Sequence, residues 1–272
     1  MKLTLKPELS AQELFVRAHK KHHHEITLWR ILLFVIFLIL WELAASGGWI
    51  DSFFFSSPSG VVLCIIDQIK TNRLILHIGI TIFETIISFI FVMLISLVIS
   101  SLLWCSHKLS EIFEPYLVIL NSLPKSALAP LFIVWLGTGM KTIIVAGLSV
   151  AVFGSIISFY TAFQQVDKEK ITLIYTLGGK KKDTFFKVVL PSSLPILIST
   201  AKVNIGLALV GVIIGEFLAA RRGLGYLIIY GSQVFRLDMV ITGIIILCVI
   251  ALLFYRSIQS RISPKTSSQF IS

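Results

Sequence analysis

Charge is scarce in this sequence. Only 14% of its 272 residues are Asp, Glu, Lys or Arg, against about a quarter in soluble domains. So thin a supply of charge excludes an ordinary water-soluble surface. Acid is scarcer than base, with 14 acidic residues against 24 basic and a net charge of +10. The basic residues are scattered among apolar runs, which argues against a nucleic-acid partner. Cysteine is nearly missing: Cys64, Cys105 and Cys248 lie far apart, without the paired spacing of a disulfide framework or a metal site. No Gly-x-x-x-x-Gly-Lys-Ser/Thr loop is present to cradle a nucleotide phosphate. Gly137-Thr138-Gly139-Met140-Lys141-Thr142 superficially resembles one, but its spacing is wrong. Beyond the polar leader, which holds His22-His23-His24, only His77 and His107 remain. No Ser-His-Asp or Cys-His constellation is credible, so neither catalytic residues nor a cofactor is expected. The three adjacent histidines sit beside lysines as a solvated surface does, a metal site being the alternative.

Apolar residues are what the chain has in abundance. They make up 56% of it, with mean hydropathy +0.91. This composition predicts an all-α, polytopic membrane protein. Residues 1–28 form a polar leader in which Glu8 to His19 suits a short amphipathic helix on the membrane surface. Six apolar runs of spanning length follow, at Leu28–Ala45, Ile78–Trp104, Tyr116–Leu136, Thr142–Phe163, Leu194–Phe217 and Met239–Tyr255; about 20 residues cross the hydrocarbon. The first run is too long, and its leader too extended, for a cleaved signal peptide. Val61 to Leu76 suits a short amphipathic helix between the first two spans. Residues 29–256 are thus a membrane domain and 257–272 a tail. Six spans put both termini on one side. Lys and Arg number sixteen on that side and six on the other, with Lys125 and Lys202 inside spans. The excess predicts cytoplasmic termini and a cytoplasmic central loop. Glu42, Glu84 and Glu216 all read as lying near span ends, whereas ion-coupled transporters and channels commonly bury acids for coupling.

The central loop, residues 164–193, is the most hydrophilic stretch between two spans. Its pattern suits two short helices broken at Gly178-Gly179, the second closing at Leu190-Pro191. Leu177, Phe185, Phe186 and Val189 read as an apolar stripe, which points to a docking surface. The spacing of Gly178 and Leu190-Pro191 resembles the cytoplasmic loop of ABC importer permeases, whose pattern is Glu-Ala-Ala, three residues, Gly, then Leu-Pro. The triad is replaced here by Thr172, Leu173 and Ile174. The resemblance implies that Thr172, Leu173, Ile174, Leu177, Gly178, Phe185, Leu190 and Pro191 form a coupling helix seated on an ATPase subunit.

Further motifs narrow the likeness. Trp41-Glu42-Leu43-Ala44, Ser57-Pro58-Ser59, the run Leu123 to Leu131, Trp135-Leu136-Gly137, Gly215-Glu216 and Gly223 to Ile228 resemble the sulfonate, taurine and nitrate permease family. Relatives of that family carry thiamine precursors, riboflavin and other small organic molecules. The likeness implies a type I ABC importer permease in the bacterial cytoplasmic membrane. It implies a homodimer in the lipid bilayer, with ATP-binding subunits below and an extracytoplasmic solute-binding protein above. Glu84 stands where relatives often have Arg, and Ser158-Phe159 where Asn-Thr is common; both differences bear on the substrate. Pro124 and Pro130 interrupt the third span, which marks either a broken helix around a substrate path or a packing kink. Lys125 and Lys202, roughly mid-membrane by helix rise, either face that path or have a structural role, and Glu216 is a further candidate. Gly223, Gly225 and Tyr226 resemble the family's outer gate, a tight re-entrant turn beside Arg221 and Arg222.

Overall fold

The computed structural model describes residues 11–71 and 73–266, and among them every regular element is helical. They fall into two compact units divided after Leu63. The first unit is built on α1 (Ala11–Ser46), which ends where Gly48 turns at φ +70°. The helix expected over Glu8 to His19 begins outside the described residues; from Ala11 onward the backbone is one helix with the first span, not a separate surface element. After the short α2 (Ser52–Phe55), α3 (Pro58–Lys70) begins. Its first turn is tied to α1, because Glu42 accepts the Ser59 Oγ–H at 2.8 Å and the Ser59 N–H at 3.0 Å. Two of the sequence motifs are thereby one contact.

The second unit is a bundle around three long helices: α4 (Arg73–Cys105), α7 (Met140–Gln164) and α10 (Leu190–Ala219). Small residues let their backbones approach, as membrane helices need in place of a water-driven core. A Cβ on Gly211 would lie 2.8 Å from the Ala146 carbonyl oxygen, and one on Gly215 2.9 Å from the Ile143 Cα. Hydroxyls complete the seams: Ser88 Oγ–H donates to the Ile144 carbonyl and Ser96 Oγ–H to that of Val152, both at 3.3 Å. Five described helices are long and apolar enough to cross a membrane, or six if the bent pair α5 (His107–Ser122) and α6 (Lys125–Leu136) is one span.

That pair is the interrupted third span: its halves meet at 96°, but the break falls at one of the two expected prolines. Leu123-Pro124 is the break; Pro124 cannot donate to a continuing helix, and its predecessor is steered to extended backbone, with Leu123 at ψ 138°. Pro130 sits inside α6 and breaks nothing. The second span starts at Arg73, earlier than expected. A second correction concerns Leu190-Pro191. After α8 (Lys168–Thr176) and α9 (Lys181–Thr184), the chain is helical without a break from Lys181 to Ala219. The five residues Phe185–Val189 form a π-turn, in which the Leu190 N–H reaches back to the Phe185 carbonyl. This widening accommodates Pro191, which lacks the N–H a regular turn would use. The remaining helices are α11 (Leu224–Gln233) and α12 (Leu237–Thr266).

Candidate functional site

The loop segment is a pair of helices broken at Gly178-Gly179, with Val166, Phe185 and Val189 buried in one apolar cluster of the bundle and Ile171 packed against it. Asp167 caps α8 by accepting the Glu169 N–H at 2.9 Å. At the other end Gly179 N–H reaches the Ile174 carbonyl at 2.9 Å and Gly178 N–H that of Tyr175 at 3.0 Å. With Gly178 at φ +82°, this is the Schellman ending of a helix. Asp183 accepts the Lys180 N–H at 3.0 Å to start α9 and pairs with Lys187 at 3.1 Å.

The expected apolar stripe is split between two faces. Leu177 is 75% exposed, and Leu173, Tyr175 and Phe186 are also exposed, while Phe185 is 6% exposed and Val189 fully buried. Phe185 packs among the rings of Trp104 and Phe163, both with centroids at 5.3 Å. Two functions are thus separated: Phe185 and Val189 anchor the segment, and α8 with Phe186 presents an outward apolar surface. Thr172 lies on the exposed side, Ile174 and Leu190 are half-buried, and Pro191 is exposed.

Among the residues assigned to a path, Lys125 has a definite task. Its Nζ donates to the Leu120 carbonyl at 2.8 Å and to that of Asn121, capping the carbonyl end of α5 across the bend. It also lies over the Phe153 ring at 6.0 Å. Lys202 is half-buried on α10. Neither lysine lines the cavity beside them, of about 260 Å³, whose walls include Asn121, Ser155, Ser158, Ser199 and Asn204. Sequence reasoning missed this polar set. Its trace is present: Ser155 and Ser158 recur at helical spacing on an otherwise apolar span, as do Ser199, Thr200 and Asn204.

Glu216 is in another place altogether. It is fully buried near the end of α10, as is Glu84, the twelfth residue of the 33-residue α4. The expectation that both merely lie near span ends is therefore corrected: both face the bundle interior. Glu216 Oε1 accepts the Thr81 Oγ–H at 2.6 Å and Oε2 the Gly225 N–H at 2.5 Å. The expected re-entrant turn is a single residue, Gly223 at φ +114°, followed at once by α11. Gly225 is already helical. Its hydrogen is required for another reason, since a Cβ there would lie 2.8 Å from the Glu216 Cβ. Tyr226 stacks on His77 with ring centroids at 6.0 Å, and His77 Nδ1 accepts the Gly223 N–H at 2.9 Å. The two rings, with Arg73, Tyr230 and Arg236, help line a second cavity of about 360 Å³ at this end of the bundle.

Comparison with known proteins follows the same outline. Residues 93–267 match the family described as binding-protein-dependent transport system inner membrane component. An ABC transporter permease protein of Haemophilus influenzae is 29% identical over 231 residues, 84% of this chain and 93% of that one. A formylaminopyrimidine transport permease protein of Halalkalibacterium halodurans is 25% identical over 72% of this chain and 77% of its own. In architecture the chain is similar to the inward-facing MetNI methionine ABC transporter, with TM-score 0.64 and 20% identity over 72% of this chain and 98% of that one.

Proposed function

The chain belongs to the family of binding-protein-dependent inner-membrane transport components and is an ABC importer permease subunit rather than an enzyme, and from that premise we propose how it works and what it carries. The segment 164–193 is the coupling element. It lies on the cytoplasmic side with both termini, as the excess of Lys and Arg there supports. Its outward face, carrying Leu173, Leu177 and Phe186, enters a groove of an ATP-binding subunit. The anchored face, Phe185 and Val189, passes the movement of that subunit into α10 and the bundle. Two permease copies work together, and an extracytoplasmic binding protein delivers the solute to the opposite end, where the Gly223–Tyr226 turn stands as outer gate.

The solute is small and carries several hydrogen-bonding groups but no obligatory charge. The observation that carries this reading is the wall of the 260 Å³ cavity, where Asn, Ser and Thr side chains stand among small and apolar residues such as Ala151, Val203 and Leu207, with no cation in the lining. Lys125, which would otherwise favour an anion, spends its ammonium on the α5 carbonyls. A heteroaromatic vitamin precursor fits that wall, and formylaminopyrimidine is the cargo printed in the name of one relative. A sulfonate-like or nitrate-like anion is the second reading, supported by the family likeness and by Lys202 nearby. Binding of both solute types to the reconstituted permease with its binding protein separates them. Uptake of the precursor, lost in Asn204→Leu but kept in Lys202→Met, is the expected result. Sulfonate uptake abolished by Lys202→Met would favour the anion.

A further inference from the structure

Glu84 and Glu216 are both buried inside the bundle, 2% and 0% exposed, and Glu84 lies one turn along α4 from Thr81, whose hydroxyl donates to Glu216, so the two carboxyls share one site. Two bare carboxylates cannot do this, because each has only acceptors to offer and like charges in a dry site repel strongly. One of the two therefore holds a proton. The surroundings decide which residue supplies it. Glu216 takes the Thr81 O–H on one oxygen and the Gly225 N–H on the other, and a carboxyl with a donor on each oxygen is held as a carboxylate. Glu84 Oε2 is buried and no donor among the described residues reaches it. An anionic oxygen left in that state is costly, whereas an acid tolerates it.

The other elements around the pair bring no counter-charge. On α4, His77 uses Nδ1 as an acceptor for Gly223 and has Arg222 and Arg73 as its charged neighbours. On α7, Ile143 and Ala146 face the Gly215 step of α10, and on α12 Gly243 faces Ile228 and Leu224. From α11 comes Tyr226, whose ring lies against His77.

We propose that Glu84 is a positioning residue that permanently holds a proton as a hydrogen-bond donor to Glu216, and that this bridge seats the Gly223–Tyr226 turn. The connections run in series. Glu84 O–H fixes the Glu216 carboxylate, which holds the Gly225 amide, while Thr81, donating to the same carboxylate, accepts the Leu224 N–H at 2.8 Å. The turn closes so tightly on this carboxylate that a side chain on Gly223 or Gly225 would overlap it. Without the proton, two buried negative charges would push the seat apart and release the Leu224 and Gly225 amides at the mouth of the 360 Å³ cavity. The assignment rests on packing alone and does not require the importer reading.

Two measurements on the full-length permease, assembled with its partner subunits in lipid nanodiscs, test it without ATP or solute. Infrared spectroscopy at neutral pH reads the C=O stretch of protonated carboxylic acids. One such band is expected in the native protein and is expected to vanish in Glu84→Gln, whose amide keeps the donor. A band that survives in Glu84→Gln places the proton elsewhere and overturns the proposal. Amide hydrogen exchange then reads the turn itself. Glu84→Gln should protect residues 223–226 as the native protein does, and Glu84→Leu should exchange there roughly tenfold faster, the loss of about one net hydrogen bond, while α7 stays protected. Native-like protection of the turn in Glu84→Leu overturns the positioning role. A Leu variant that also loses α7 has unfolded; the infrared result then decides.

Discussion

Adjacent glycines in the coupling segment are required for different reasons. Gly178 has open space where a Cβ would go but sits at φ +82°, so a side chain there is strained rather than blocked. Gly179 has an ordinary backbone, yet a Cβ would lie 2.5 Å from Ile174 Cγ2. Gly178→Asn should therefore be tolerated, because Asn visits the left-handed region. Gly178→Val should cost about 1–2 kcal/mol locally, leaving the permease in the membrane with ATP hydrolysis uncoupled from uptake. Uptake and ATPase rate measured side by side in the reconstituted complex check this, and full uptake by the Val variant would reduce the segment to a linker. For the lysines, Lys125→Met removes the cap of α5 and should lower stability by roughly 1 kcal/mol, read as a fall in the Tm of the detergent-solubilised complex. Lys202→Met should leave Tm unchanged. Glycine at 178 was legible in the sequence, since a Gly-Gly break between two helical patterns has few other meanings. The distinction between the two glycines was not, because it depends on where the Ile174 side chain folds back.

At the scale of elements, several of the places where sequence reading and structure part company involve proline. Pro124, Pro130, Pro191 and Pro195 look alike in a sequence, and only the first ends a helix. What separates them is whether the backbone groups they orphan find other partners. The Leu120 and Asn121 carbonyls find Lys125 Nζ at a true bend. Pro191 is passed by a π-turn, which no local pattern announces. The apolar stripe of the coupling segment failed for a related reason: a 3.6-residue period places Phe185 and Phe186 on neighbouring faces, but the π-turn decides which of them turns inward. That inward ring gives the anchor its strength. Phe185→Ala should cost about 3–5 kcal/mol, concentrated in the packing among Trp104, Phe163 and Val189. It should loosen the segment while leaving the α4–α7–α10 seam intact. Limited proteolysis, with new cleavage near Lys180–Lys182 in the variant, reads this directly; unchanged proteolysis would mean the segment is held by something else.

On the scale of the whole molecule, composition alone carried the class, and the order of short motifs carried the family. Both depend on chemistry spread along the chain, on hydrophobic length and on recurrent small residues, and both survive local errors. The candidate sites did not read out as well. The polar cavity wall comes from α5, α7 and α10 together, and the Glu84–Glu216 site joins residues more than 130 positions apart. A one-dimensional reading saw Glu216 as close to a span end and could not see that α4 and α11 close over it. The proposed orientation rests on charge asymmetry: a cysteine placed at 222 should react with an impermeant reagent added outside intact cells, and one placed at 181 should not. The reverse pattern would put the coupling segment on the wrong side for an ATPase. Because buried acids also occur in ion-driven carriers, the most direct test of the account is the energy source. In proteoliposomes holding this permease, its ATP-binding subunits and its binding protein, solute uptake should require enclosed ATP and the binding protein and should persist when proton and sodium gradients are collapsed. Uptake that runs without ATP and stops with the ion gradient would contradict it.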